Sequence, residues 1–501
     1  MSSLPVHPAP EAFAKLAEGA KVVPVYTELA ADFDTPLSAF AKIRDGQHAF
    51  LFESAESSAA SGRYSILGSE PLFQITSRGK EITRTENGDS TSFTTDKDVL
   101  AELEALMAPY HAVHHGDLPP VFNGGLVGYL AFDAISQFEP SVGSPSNDDL
   151  GLPDAIFFLA DTVLIFDHHL RKVFVVANAI LDRHESVEAA YQASVERLDA
   201  LLTKLGQPLH RPAFNALIPA GLPDFESNTT REEFHDMVIR GKEYITAGDI
   251  FQFVPSQRFE TDFTGDPIDL YRSLRHVNPS PYLFILELED FALVGSSPEV
   301  HVRAISNRID IRPIAGTRWR GKTNEEDEAL AQDLLADTKE CAEHLMLVDL
   351  ARNDVGRIAE HGSVVVDDFM TVEKYSHVMH IVSNVHGTLA PDASSYDVLR
   401  ATFPAGTVSG APKIRAMQII AEMENSKRCA YAGAVGYFGF DGGLDSCIAL
   451  RTCLLKDGKA YVQAGAGVVA DSEPEYEYQE TRNKAMALLK AISLAEAQER
   501  L

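Results

Sequence analysis

The chain has 501 residues, enough for two or three domains. Lys+Arg is 43 and Asp+Glu is 73, a formal net charge of −30, and a surface that acidic repels phosphate backbones and anionic membranes, which excludes nucleic acid and membrane as partners. Four cysteines without CxxC spacing exclude a disulfide scaffold, and no apolar run reaches membrane length, because AIFFLADTVLIF is interrupted by Asp161.

The first twenty residues contain no apolar run and carry Glu11 and Glu18, unlike a signal or transit peptide, so a soluble cytoplasmic protein is expected. Residues 1–205 read mostly as short strands: HAFLFES, RYSILGS, LFQITSR, FNGGLVGYLAF, and DAIFFLADTVLIFD followed by KVFVVANAI. Helical patterns flank them at 98–107 and 186–204. Successive strands without regular helices between them predict antiparallel sheet. From 206 to 228 the chain holds Pro208, Pro212, Pro219 and Pro223, a density that stops helices and central strands. This connector divides an N-terminal part (1–205) from a C-terminal part (229–501).

The C-terminal part opens with a helix, since Thr230 and Glu233 have capping-box spacing. Strand-like runs follow, then a helix opening with a second box at Thr323 and Glu326 and running to about Asn353. Next come HVMHIVSNVHGTL, a loop at 403–413, further strands, and a last helix with Pro474 in its first turn.

Two acidic pairs stand out. Glu340 and Glu343 are three apart, as are Glu477 and Glu480, so each pair lies on one helical face. Opposed, the two faces form a cluster of hard oxygen ligands suited to Mg²⁺. They also read as solvated faces of an acidic chain, although the apolar HLMLVDLA beside Glu343 argues against full solvation. The loop 403–413 and the AGAG turn at 464–467 offer backbone amides which, near Arg451, Lys413 and Lys484, suit a carboxylate. They also read as a flexible loop and an ordinary hairpin turn. No Walker A motif, GxSxG elbow or Cys–His nucleophile is present, so a glutaminase is not expected and any ammonia must come from outside.

A dozen ordered elements carry a resemblance. They include FLFESAE at 50–56, GDIFQFVPSQ at 248–257, NPSPYL at 278–283, SSPE at 296–299 and RPIAGTRWRG at 312–321. AEHLMLVDLARNDVGRI at 342–358, FPAGTVSGAPKIRAM at 403–417, YAGAVGYF at 431–438, ALRT at 449–452 and ETRNKA at 480–485 follow. The chain resembles the chorismate-utilising enzymes, most closely the anthranilate synthase component I family. The resemblance implies an α/β protein with two large antiparallel sheets packed face to face and helices outside. It implies amination of chorismate at C2 with ammonia and loss of pyruvate to give anthranilate, the first step of tryptophan biosynthesis.

The site residues are likewise implied. Glu343 and Glu480 would ligate Mg²⁺, with Glu340 and Glu477 reaching it through water. Glu299 would be the general acid, His380 would serve pyruvate elimination, and Thr407 would join them. Tyr431, Arg451, Gly465, Ala466, Gly467 and Lys484 would bind the carboxylates and enolpyruvyl arm, with Gly316 and Thr317 facing the ring. Glu53, Ser54, Asn278, Pro279, Ser280, Pro281, Tyr282 and Leu283 would bind tryptophan as feedback inhibitor. A glutamine amidotransferase subunit would supply ammonia within a hetero-oligomer.

Two positions separate the branches. Gln252 stands where water-adding relatives carry a lysine base. Ala315 stands where relatives aminating at C4 carry a nucleophilic lysine, and alanine cannot form that adduct. The alternatives are a 2-amino-4-deoxyisochorismate synthase that stops before pyruvate loss, and a non-catalytic tryptophan sensor.

Overall fold

The computed structural model describes residues 4–54, 62–145, 147–216, 221–375 and 378–499. Ala55 and Glu56 of the FLFESAE element, residues 217–220 of the connector, and His377 lie outside them. Among the described residues, every named strand pairing in the two large sheets, of eleven and twelve strands, is antiparallel, as the strand succession predicts.

The strands are apolar on both faces because both faces are covered. Along Tyr282–Leu288, Phe284 and Leu286 turn into a cluster shared with Tyr129, Phe158 and Val435 of the other sheet. Leu283 and Ile285 turn the opposite way, beneath helices carrying Phe40, Leu198, Leu274 and Leu488. A third cluster packs Leu126, Phe157 and Val302 of the twelve-stranded sheet against helices carrying Leu103, Phe234, Val348 and Met417. The layers therefore run helix, sheet, sheet, helix. Each buried phenylalanine such as Phe50 or Phe284 contributes about 1.5–3 kcal/mol.

Both sheets take strands from both sides of the connector. Ala49–Glu53 pairs with Tyr282–Leu288, and Gly125–Leu130 pairs with Ala434–Gly439. The run DAIFFLADTVLIFD is two strands, Ala155–Ala160 in one sheet and Thr162–Asp167 in the other. Asp161 marks the crossing. It is buried and ion-paired with Arg197, so the chain changes sheets where a paired carboxylate replaces an apolar side chain.

The Thr230–Glu233 capping box forms, with Glu233 N–H donating to Thr230 Oγ1 at 3.2 Å and Thr230 N–H to Glu233 Oε2 at 2.8 Å. The box at Thr323 forms only half: Glu326 N–H donates to Thr323 Oγ1 at 3.2 Å, but Glu326 Oε2 accepts from Lys322 N–H. The single helix expected from there to about 353 is two, Asn324–Ala336 and Thr338–Gly356. Asp337 divides them in extended conformation (φ −74°, ψ 106°) and caps the second by accepting from Lys339 and Glu340 N–H. A short polar side chain that competes for backbone N–H groups ends one helix and starts the next. The loop expected at 403–413 contains a helical turn, Gly406–Ser409, and Gly410–Ala411 bridges to Gln252–Phe253.

Candidate active site

The strand Phe291–Ser297 leads through Pro298 to Glu299. Two bonds fix its exit: Ile448 N–H donates to Glu299 O at 3.1 Å, and Ser297 Oγ donates to Ile448 O at 2.6 Å. The Glu299 side chain is thereby held where only 9% of the residue is exposed. Burial pushes its carboxyl up to about 8, against the opposing pull of the Thr407 hydroxyl and the charges of Arg451 and Lys484. Thr407 Oγ1 is buried and completes no hydrogen bond of normal geometry, so it keeps capacity for a further group. Arg451 is a non-glycine residue at φ 47°, and its Nη1 donates to Asn278 Oδ1 at 3.3 Å. Burial lowers the guanidinium pKa and the Glu299 charge raises it.

Beside them the strand Lys459–Gly465 ends in the glycine turn. A Cβ on Gly465 would lie 2.8 Å from both Tyr431 Oη and Pro255 O. One on Gly467 would lie 2.6 Å from Gln252 Nε2, so only glycine lets this backbone approach. Ala466 N–H donates to Pro255 O at 3.1 Å. Burial pushes the Tyr431 hydroxyl up to about 12, so it stays a hydrogen-bond donor. Lys484 Nζ donates to Gly465 O at 3.0 Å and pairs with Glu480 at 2.7 Å. Lys413 is not at this surface. It is part-buried, and its ammonium is bonded to Asp354 at 2.7 Å and to Thr402 O at 2.8 Å.

The acidic pairs fall on the starts of Thr338–Gly356 and Pro474–Glu499. Gln252 Nε2 donates to Glu343 Oε1 at 3.3 Å. Glu340 and Glu477 are both raised, first by burial, then by the neighbouring carboxylates Glu343 and Glu480 respectively. Among the described residues no three His, Cys, Asp or Glu side chains converge into a formed metal cluster. The set still fits Mg²⁺, because it is all carboxylate and its shared negative charge is incompletely balanced.

His380, in the strand Val378–Thr388, stands opposite Thr317. Its Nδ1 lies 2.9 Å from Gly316 O and 3.1 Å from Thr317 Oγ1. Since a carbonyl only accepts, Nδ1 carries the hydrogen and Nε2 keeps its lone pair. Burial lowers the His380 pKa and favours this neutral form. Gly316 has φ 68°, and a Cβ there would come within 3.2 Å of Glu340 Oε2, which puts this backbone against the first acidic pair.

Glu53 and Leu283 are cross-strand partners. Glu53 Oε2 accepts from Tyr271 Oη at 2.6 Å, with Arg275 at 3.7 Å. Asn278 follows the helix Pro267–Val277, its Nδ2 donates to Ser296 Oγ at 3.1 Å, and Pro279, Ser280 and Pro281 lead directly into Tyr282. Ser54 continues the Glu53 strand. Leu283 lies beside Glu53 on the helix-covered face, whereas Tyr282 turns to the other face and its Oη donates to Asp445 Oδ1 at 3.0 Å, so only part of the set surrounds Glu53. Tyr271 and Arg275 were not foreseen; their i,i+4 spacing was the available signal. Through Asn278 this cluster touches Arg451.

Comparison with known proteins shows the family and the fold. Residues 47–490 match the family described as chorismate binding enzyme. The chain is 47% identical over 491 residues to anthranilate synthase component 1 of Aquifex aeolicus, covering 96% of this chain and 97% of that one. It superposes on the crystal structure of anthranilate synthase component I from Streptococcus pneumoniae with a TM-score of 0.75 and 41% identity, covering 87% of this chain and 93% of that one. The menaquinone-specific isochorismate synthase of Escherichia coli shares the fold, with a TM-score of 0.69 at 18% identity over 96% of this chain and 99% of that one.

Proposed function

The chain belongs to the chorismate-binding enzymes, in the anthranilate synthase component I family, and from that premise we propose that it aminates chorismate at C2 with ammonia and eliminates pyruvate to give anthranilate. The observation that carries the proposal is Glu299: a buried carboxyl pushed up to about 8, beside Thr407 and Arg451, in a chain with Ala315 and Gln252 at the branch-determining positions. A protonated carboxyl at neutral pH can give its proton to the departing 4-hydroxyl. Arg451, Tyr431, Lys484 and the amides of Gly465 and Gly467 bind the substrate's carboxylates, with Thr407 beside the arm. Gly316 and Thr317 hold the ring face. His380 Nε2, with its lone pair free, takes part in pyruvate loss as a proton acceptor.

Glu343 and Glu480 would hold Mg²⁺, supported by Glu340 and Glu477. The ion would supply positive charge against the ring carboxylate and the leaving oxygen. Without a lysine base, water is not activated, which favours ammonia. Burial raises the thiols of Cys429, Cys447 and Cys453, which supports an external amidotransferase as the ammonia source. Tryptophan bound around Glu53, Ser54 and Asn278 inhibits by favouring a state with lower chorismate affinity.

The test is incubation of the purified chain with chorismate, Mg²⁺ and ammonium, without and with glutamine. Fluorescent anthranilate from ammonium alone is expected. A non-aromatic amine as sole product identifies the truncated reaction, and turnover with glutamine by this chain alone overturns the assignment of ammonia supply.

A further inference from the structure

Arg428 is not among the groups assigned above to chorismate or Mg²⁺, yet it is tied to three segments that build the pocket. Its side chain is 1% exposed, in an ion pair with Glu424, 5% exposed, four residues earlier in sequence. Nε donates to Glu424 Oε2 at 2.8 Å and Nη2 to Glu424 Oε1 at 2.6 Å, a two-pronged pairing. The guanidinium also reaches two backbone carbonyls. Nη1 donates to Val408 O at 2.9 Å, directly after Thr407. Nη2 donates to Val254 O at 2.5 Å, two residues beyond Gln252 and one before Pro255, which accepts from Ala466. The guanidinium carbon lies 5.5 Å from the Tyr431 ring centroid and 4.5 Å from that of Phe132. Glu424 Oε1 fixes the same strand a second time, accepting from Ser256 N–H and Oγ, both at 2.8 Å.

A stabilising ion pair needs only two partners, and a buried one is by itself weak grounds for stability. This one is placed where the Thr407 turn, the Gln252–Pro255 segment and Tyr431 meet, and only a planar fork can bond along all these directions at once. We infer that Arg428, held by Glu424, is a positioning residue that sets the relative placement of Thr407, Tyr431 and the Gly465 and Gly467 amides, and so the fit of the carboxylate wall to chorismate. The inference rests on the proposed function and deepens it.

Arg428→Lys keeps the charge and loses the fork. Calorimetric titration of chorismate is expected to show an affinity about tenfold or more below wild type, as loss of an outer positioning contact typically gives. Arg44→Lys, at a part-buried pair with Asp266 and Glu287 remote from the pocket, is the control, and its chorismate affinity should stay at the wild-type value. Equal chorismate affinity in Arg428→Lys and wild type overturns the inference, as does an affinity loss of the same size in Arg44→Lys, which would mark a general effect of instability. Where Arg428→Lys does not fold, Glu424→Gln, which retains an acceptor for Ser256 and Arg428, is titrated with the same criteria. Absence of chorismate binding by the wild-type chain would instead overturn the proposed function.

Discussion

Glu53 and Glu299 are two carboxylates of nearly equal burial, 8% and 9% exposed, separated by a single β-hairpin. Their surroundings differ. Glu53 accepts from Tyr271 at 2.6 Å, with Ser65 Oγ at 3.5 Å and Arg275 at 3.7 Å. Glu299 has only the hydroxyl of Thr407 and more distant charges, and its carboxyl is pushed up to about 8. Burial alone therefore does not define the role of an acid. Donors satisfy the oxygens of Glu53, whereas their scarcity leaves Glu299 its proton, a difference that suits the binding and proton-donating roles proposed for the two. Asn278 joins the two regions, since the residue beside the first cluster holds Arg451 of the second.

The contrast is broken most directly by removing each acid in turn. Glu299→Gln should lower turnover about 10²–10⁴-fold, the usual contribution of a general acid. Glu53→Gln should leave uninhibited turnover near wild type and weaken inhibition by tryptophan. Steady-state kinetics with chorismate and ammonium, with and without tryptophan, separates the two; equal loss of turnover would erase the distinction.

Ser54→Phe tests the binding region without touching any charge. Inhibition should weaken by about 5–150-fold, the usual range of such coupling, with uninhibited activity kept. Reciprocally, a saturating chorismate analogue should lower tryptophan affinity by the same factor. Inhibition surviving Ser54→Phe would move the regulatory site elsewhere.

The acidic helices sharpen the catalytic side. Glu343→Gln or Glu480→Gln should abolish activity at any practical Mg²⁺ concentration, while Glu340→Gln should cost about 10–100-fold. Near-normal turnover of Glu343→Gln at low Mg²⁺ would refute the ligand assignment.

The mildest effect concerns pH. Turnover should decline above about pH 8, as Glu299 loses the proton it must donate. Its carboxyl rises from the ordinary 4.5 to about 8 on folding, so the fold prefers the protonated form. The resulting stabilisation is complete below pH 4.5 and is lost as pH rises through 8. Glu299→Gln should accordingly melt higher than wild type at pH 9, by up to a few kcal/mol in stability, with little difference at pH 4. Matching melting profiles across pH would show that the Glu299 charge is solvated in the folded chain.

The periodicities in the sequence determined the antiparallel strands, the Thr230 cap and the last helix, because these depend on neighbours a few residues away. Asp337 lay hidden inside a continuing helical pattern, so the division there was decided by its competition for backbone N–H groups. The pairs Glu340–Glu343 and Glu477–Glu480 were visible as helical faces. The contact of Glu343 with Gln252 was not, since it depends on tertiary packing. Lys413 looked like a ligand group from its glycine-rich loop, and the tertiary structure gave it to Asp354. Glu299 appeared in the sequence as an acid after a turn. Only packing raised its pKa, because its burial forms when the sheets close and bring up segments such as that of Ile448, more than a hundred residues away along the chain.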